Sequence, residues 1–211
     1  MSELKSANIN MWRESLNTSI SSFFGVVSDI VHVFILVRLL SQEQVGIFFI
    51  SYAFLYLFAQ IPRGIGIAIR KRASEINTGQ SKYLWTGFIL ILPLLAVLFL
   101  GLWLFQPVLN TYSYITLSDT VLVGLFLATT GFSTLEFARF YMAGCGEPGR
   151  AEKLRTLLAK TSMPIITVLL VSTVSTVAFA LYSVFIAYFI SSILIFLLTP
   201  HKLVLPNKET L

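Results

Sequence analysis

The chain has 211 residues, of which 56% are hydrophobic and only 12% are charged. Soluble domains carry about 25% charged residues, so this composition cannot cover a water-facing surface, and a soluble enzyme is excluded. The single cysteine, Cys145, excludes an intramolecular disulfide and a cysteine metal cluster, and His32 and His201 are too distant in sequence for a histidine site. We therefore expect an integral membrane protein without a metal or a cofactor.

Six apolar stretches are long enough to cross a bilayer as helices of about 20 residues. They are Ser15–Val37, Val45–Ile69, Tyr83–Phe105, Leu117–Met142, Leu157–Val174 and Val177–Leu198. A single continuous helix through the last two stretches would be about twice as long as the hydrocarbon core of a bilayer is thick. A turn is therefore predicted at Ser172–Thr176. The pattern predicts an all-α polytopic membrane protein with an N-terminal segment (1–14), a six-helix bundle (15–198) and a C-terminal tail (199–211).

Two polar segments, Ser41–Gln44 and Thr116–Asp119, have the residue spacing of a capping box at the start of a helix. They predict the starts of the second and fourth spanning helices, and so support the division of the chain into separate spans.

Basic residues are concentrated at the chain ends and in the loops after spans two and four. They are Lys5, Arg13, Arg70, Lys71, Arg72, Lys82, Arg150, Lys153, Arg155, Lys202 and Lys208. Because positive charge favours the cytoplasmic side, both termini are predicted in the cytoplasm and the protein in the cytoplasmic membrane. Attraction to anionic membrane lipids explains the net charge of +5 better than nucleic-acid binding does.

Ionisable residues inside a span cost about 2.5–3.5 kcal/mol each at the bilayer centre, so each needs a partner, a cavity or a route to the surface. Arg63 in span two and Glu136 in span four lie at similar depths, about 10 and 12 Å from the same end. We hypothesise that they face a shared cavity and pair or exchange partners there, with Arg139 one turn away. In the alternative, the two arginines reach the headgroups and Glu136 pairs with Arg139 in its own helix.

Other polar residues extend these faces. Gln60 lies on the same face of span two as Arg63, and Pro62 predicts a bent or hinged helix beside that charge. In span one, Asp29 has no basic residue of its own helix beside it. With His32 one turn on, it is a candidate site for proton or sodium coupling; the alternative is a protonated carboxyl that bonds a serine of a neighbouring helix.

Three stretches carry a resemblance to a known family: residues 22–46, which include Arg38-Leu-Leu-Ser-Gln-Glu-Gln-Val-Gly46; residues 63–75; and Tyr141-Met-Ala-Gly-Cys-Gly-Glu-Pro-Gly149. Together they resemble the polysaccharide-exporter and lipid-linked oligosaccharide flippase branch of the MATE-like (multidrug, oligosaccharidyl-lipid, polysaccharide) superfamily. The likeness runs through residues 12–198.

The resemblance implies one of two six-helix bundles that face each other across a central cavity and move a lipid-linked sugar by alternating access. The chain resembles the first bundle only, which leaves three alternatives: a truncated piece, a subunit that pairs with another copy or with a second-bundle partner chain, or a degenerate copy. Family resemblance assigns head-group binding to Arg63 and, more weakly, Arg139; Glu136 and Gln60 complete the expected substrate site. Membrane lipids are the other expected partner.

Two further functions stay open at this point. The chain could be a non-transporting interaction subunit or scaffold whose polar residues hold helices together, or a multidrug exporter of the same fold with an aromatic and acidic cavity. The residues show no nucleophile, base and orienting group in combination, so we expect no enzymatic activity.

Overall fold

A computed structural model describes residues 2–75, 80–112 and 117–199, and every regular element in these ranges is helical. The elements are α1 (Ser2–Leu39), α2 (Gln42–Glu75), α3 (Gln80–Tyr112), α4 (Asp119–Gly144), α5 (Pro148–Leu154), a π-helical turn (Arg155–Lys160), α6 (Thr161–Val171) and α7 (Val177–Leu198). The predicted all-α fold is confirmed. Of the predicted C-terminal tail, residues 200–211 lie outside the described ranges.

Six helices in the described ranges are long and apolar enough to cross a membrane. They are Thr18–Leu39, Gln42–Glu75, Thr86–Val108, Asp119–Gly144, Pro148–Val171 and Val177–Leu198. The chain is therefore a multi-pass membrane protein. We call Pro148–Val171, which contains α5, the π turn and α6, the fifth span.

The ends of the helices follow local hydrogen-bonding signals. The predicted capping box at Ser41 is present, since its amide donates to Gln44 Oε1 at 3.0 Å and its Oγ accepts from the Gln44 amide at 3.3 Å. At the start of α4 the cap is Ser118, whose Oγ accepts from Val121 N at 3.4 Å; the predicted cap Thr116 lies outside the described residues. The predicted turn before the sixth span is confirmed, because α6 ends at Val171 and α7 begins at Val177.

A tight turn connects α4 to the fifth span. Gly146 has a φ of 96°, a left-handed conformation that a glycine adopts without a steric penalty, and Pro148 occupies the first turn of α5, where its missing N–H needs no partner. The fifth span therefore begins well before Leu157, the predicted start. The expectation that Arg155 lies in a loop is wrong, because the helix has already begun at Pro148.

The core of the bundle is built around α4, which packs against α2, α3, α5 and α7. In its apolar window 72% of the residues are buried, against 17% in α3, so α3 is peripheral. On the far side α1 packs mainly against the fifth span and only slightly against α2. The outward faces of α1 and α3 expose large apolar side chains, as Phe34 and Leu100 do, which suits contact with lipid.

Candidate functional site

Two helices contribute a ring of four charged side chains. Glu136 and Arg139 come from α4, and Glu152 and Arg155 come from the fifth span. Arg139 donates to Glu136 Oε2 at 2.6 Å and to Glu152 Oε2 at 2.9 Å. Arg155 Nη1 donates to Glu152 Oε1 at 2.7 Å, and its Nε lies 3.0 Å from Glu136 Oε1. We call these four residues the charge ring.

The charge ring alternates in sign and is largely buried. The side chain of Glu136 is only 4% exposed, and the other three are 19–21% exposed. An unpaired charge in the low-dielectric interior destabilises the fold. The charge ring avoids this cost because its two carboxylates and two guanidinium groups have no net charge. Mutual pairing therefore explains how the charged start of the fifth span can lie against α4.

The Nε–Oε1 contact between Arg155 and Glu136 is electrostatic. At 3.0 Å the two atoms form an ion pair, but Oε1 of Glu136 receives no well-aligned hydrogen bond. Arg139 also leaves its own Nε without a hydrogen-bond partner, while its guanidinium stacks 4.4 Å from the Phe140 ring centroid. Two polar atoms of the charge ring thus keep unused bonding capacity.

A polar cavity of about 100 Å³ adjoins the charge ring. Its lining residues are Tyr56, Ala59, Gln60, Arg63, Phe132, Glu136, Arg139 and Arg155. Arg63 and Glu136 therefore do share a cavity, as hypothesised. Glu136 does not pair with Arg63, however, because Arg139 and Arg155 already occupy its carboxylate. The alternative prediction of a Glu136–Arg139 pair within α4 is confirmed.

The residues expected on α2 reach the same cavity. Gln60 and Arg63 are exposed, and the Gln60 amide donates to Tyr56 O of its own helix at 3.0 Å. Helix α2 continues through Pro62, which lacks an amide hydrogen and so leaves one helix carbonyl unpaired within the helix. The cavity therefore lies beside a helix with a local gap in its hydrogen bonding.

Aromatic rings form one wall of this cavity. Tyr56 packs edge-on against Phe132 at a centroid distance of 5.5 Å, and Phe132 packs against Tyr188 at 5.3 Å. The hydroxyls of Tyr52 and Tyr188 lie 3.0 Å apart, which joins α2 to α7. Tyr56 and Phe132 thus add aromatic surface to a cavity that three residues of the charge ring also line.

A second ion pair joins α1 to the fifth span. Lys160 Nζ donates to Asp29 Oδ2 at 2.5 Å, and Ser28 Oγ donates to the Lys160 carbonyl at 2.6 Å. Gly25 lets the helices approach closely, since a Cβ atom there would lie 3.2 Å from Lys160 Cδ. Asp29 thus takes its cation from another helix, which the residues of its own helix could not reveal.

His32 has a different set of neighbours. Its Nε2 lies 3.0 Å from Thr167 Oγ1, whose hydroxyl is 2.7 Å from Ser183 Oγ. All three side chains are buried, so they link α1, α6 and α7. Asp29 and His32 therefore contact separate partners, and their role in ion coupling stays a prediction.

Sequence reasoning missed Glu152, Arg155 and Lys160 as site residues. A signal was present, because Glu136-Phe-Ala-Arg139 and Glu152-Lys-Leu-Arg155 repeat the same Glu-x-x-Arg spacing on either side of a turn. Two such pairs on antiparallel helices can face each other and alternate in sign. Lys160 left no comparable signal, since its partner is more than a hundred residues away in sequence.

The described residues contain no group of three or more His, Cys, Asp or Glu side chains placed to hold a metal ion. Comparison of the chain with protein-family models, curated proteins and solved structures finds no match. Function is therefore inferred from the charge ring, the cavity and the ion pair at Asp29.

Proposed function

We propose that this protein is one lobe of a transporter that moves lipid-linked oligosaccharide or polysaccharide precursors across the cytoplasmic membrane by alternating access. Both termini would lie in the cytoplasm, and a second six-helix bundle would complete the cavity. The observation that carries the proposal is the excess positive charge of the polar cavity beside the charge ring. Among the described residues that line the cavity, Arg63 supplies this excess, since the ring itself is neutral.

The charge balance supports an anionic ligand. Both carboxylates of the charge ring are paired with Arg139 and Arg155, and among the described residues no carboxylate pairs with Arg63. A cation inside a span is costly unless an anion or water compensates it. A lipid diphosphate would supply that anion, and an arginine can bind phosphate through two parallel hydrogen bonds.

The exposure of two charged side chains within spans supports a partner bundle. The Asp29 side chain is 45% exposed although it lies about 14 Å from the end of its span, and Arg63 is also exposed. Charges at this depth are not stable against acyl chains. A second copy of this chain, or a partner chain with six spans, would cover them and enclose water.

The experiment is reconstitution into liposomes with a fluorescent lipid-linked oligosaccharide, followed by measurement of its accessibility on each leaflet. We expect movement by the wild type and a loss of about tenfold or more in Arg63→Ala, which corresponds to one charge-assisted hydrogen bond. Arg72→Ala is the matched control, because Arg72 is exposed and pairs with the exposed Glu75 at 3.3 Å. Equal rates in the two variants would contradict the role of Arg63.

Ion coupling by Asp29 and His32 belongs to the same proposal. If Asp29 carries the coupling ion, Asp29→Asn should transport without dependence on a proton or sodium gradient. If Asp29→Asn retains the full dependence on the ion gradient, Asp29 is not part of the coupling site.

A non-transporting scaffold is the second candidate. It is favoured by the charge ring itself, whose four members balance one another's charge without a ligand. Stable oligomers in the same liposomes without any movement of the label, alone or with a co-purified second bundle, would support it over the transporter.

The proposed orientation has its own test. Cys145 lies in the turn between α4 and the fifth span, and it is the single cysteine of the chain. In a Cys145→Ser chain, Arg150→Cys places an exposed thiol at the same end of the fifth span, since the Arg150 side chain is 47% exposed. A membrane-impermeant maleimide should label this thiol in inverted vesicles and not in right-side-out vesicles. The reverse pattern would overturn the orientation without affecting the cavity.

A further inference from the structure

The fifth span contains a π-helical turn between two charged clusters. It runs from Arg155 to Lys160, and the amide of Thr161 donates to Thr156 O, five residues back. Arg155, at its start, belongs to the charge ring, and Lys160, at its end, pairs with Asp29. Turns of this kind are rare and often lie at functional sites.

Pro164 gives a physical reason for irregular bonding at this place. In a regular α-helix the amide of residue 164 would donate to the carbonyl of Lys160, but proline has no amide hydrogen and its ring crowds that carbonyl. Ser28 of α1 supplies the missing donor at 2.6 Å. The freed carbonyl is therefore satisfied by the same helix that carries Asp29.

The π turn determines which way the two cations face. In a regular α-helix five residues rotate by about 500°, so Arg155 and Lys160 would point about 140° apart. In a π turn residues five apart are joined by a backbone hydrogen bond, so Arg155 and Lys160 lie closer to one face than they would in a regular α-helix. In this geometry a five-residue spacing serves a partner on α4 and a partner on α1 at once.

We propose that the π turn sets the helical register of Arg155 and Lys160 so that both ion pairs form at once. Straightening of the turn to a regular α-helix then releases Lys160 from Asp29, while Arg155 stays in the charge ring. Arg155 is held by two carboxylates in a buried site, whereas Lys160 has one partner that is 45% exposed. The weaker attachment opens first. Its use, which rests on the proposed function, would be to loosen α1 from the fifth span during transport.

Variants that change the number of residues between Arg155 and Lys160 test whether the π turn sets their register. Leu157 is an exposed residue within the turn, so its deletion removes no buried side chain. Deletion of Leu157 leaves Arg155 and Lys160 four residues apart, on one face of a regular α-helix. Insertion of one alanine after Leu157 leaves them six residues apart, so that they point about 120° away from each other. The deletion should keep both ion pairs, and the insertion should lose the pair with Asp29.

Double-mutant cycles in the detergent-solubilised full chain measure both pairs during unfolding in SDS. One cycle combines Asp29→Asn with Lys160→Met, and the other combines Glu136→Gln with Arg155→Met. For the Asp29 pair we expect a coupling of about two- to fivefold in the unfolding equilibrium constant, the range of a partly exposed pair. That coupling should persist in the deletion and vanish in the insertion, while the Glu136–Arg155 coupling persists in both.

A point variant tests straightening without a change in length. Pro164→Ala restores the amide that a regular helix needs, so it should abolish the Asp29–Lys160 coupling and keep the ring coupling. The proposal is overturned if the wild type or the deletion variant shows no Asp29–Lys160 coupling. It is also overturned if the insertion variant keeps that coupling, or if Pro164→Ala keeps both the Asp29–Lys160 and the Glu136–Arg155 couplings. None of these measurements uses transport, so they are independent of the proposed function.

Discussion

The guanidinium of Arg155 lies 3.0 Å from the buried carboxylate of Glu136, measured from Nε to Oε1. This contact joins two spanning helices at a depth where each charge alone would be strongly unfavourable. Through Glu136 and Glu152 it also connects Arg155 to Arg139. The consequences for stability and chemistry can be measured separately from transport.

Glu136→Gln should destabilise the fold, because it leaves the two arginines of the charge ring with a single carboxylate. Loss of one partner from a buried ion pair costs about 3–5 kcal/mol, which we expect in the free energy of unfolding measured by SDS titration. Glu75→Gln is the control, since Glu75 is 44% exposed and its pair with Arg72 should contribute less than about 1 kcal/mol. Similar losses in both variants would contradict the buried ring.

Gly144→Ala should destabilise the contact between α4 and α2. A Cβ atom there would lie 2.9 Å from the Arg70 carbonyl oxygen, and a backbone atom cannot move aside as a flexible side chain can. We expect a loss of about 1–3 kcal/mol. In Gly101→Ala the added Cβ meets nothing within 4 Å, so that helix should become up to about 1 kcal/mol more stable. A neutral Gly144→Ala would show that the helices are further apart.

Thr167→Val should weaken the link between α1, α6 and α7, because it removes the hydroxyl between His32 and Ser183 and conserves shape. Hydrogen bonds between membrane helices contribute about 0.6 kcal/mol on average and up to about 1.7. We expect a thermal or SDS stability loss in this range. Thr130→Val is the control, since its hydroxyl donates within its own helix, to Phe126 O; an equal loss there would argue against the link.

The Cys145 thiol should react slowly with alkylating reagents at neutral pH. Burial, with a further contribution from the charge of Glu147, raises the pKa of this thiol to about 11. Because the thiolate is the reactive form, the alkylation rate in detergent should rise about tenfold per pH unit between pH 7 and 9. Arg150→Cys in a Cys145→Ser chain provides an exposed thiol, whose rate should level off near pH 9. A plateau for Cys145 in the same range would contradict its burial.

Much of the architecture could be predicted from the sequence. Apolar length located the six spans, the mismatch between one long helix and the bilayer predicted the turn before Val177, and the Ser41 capping box was correct. The stripe of Gln60 and Arg63 was also found from spacing, because helical periodicity places such residues on one face. The start of the fifth span was missed, since hydropathy counts Glu152 and Arg155 as unfavourable when each is considered alone.

Composition and periodicity determined that this protein is a helical membrane protein and which faces of its helices are polar, because these properties depend on each segment and its solvent. The partners of the charges were decided only by tertiary structure. Glu136 binds Arg155 and Asp29 binds Lys160 across helices that are distant in the chain or separated by a turn. Such pairs depend on how the helices pack and on the register of a π turn, and neither is visible in local spacing.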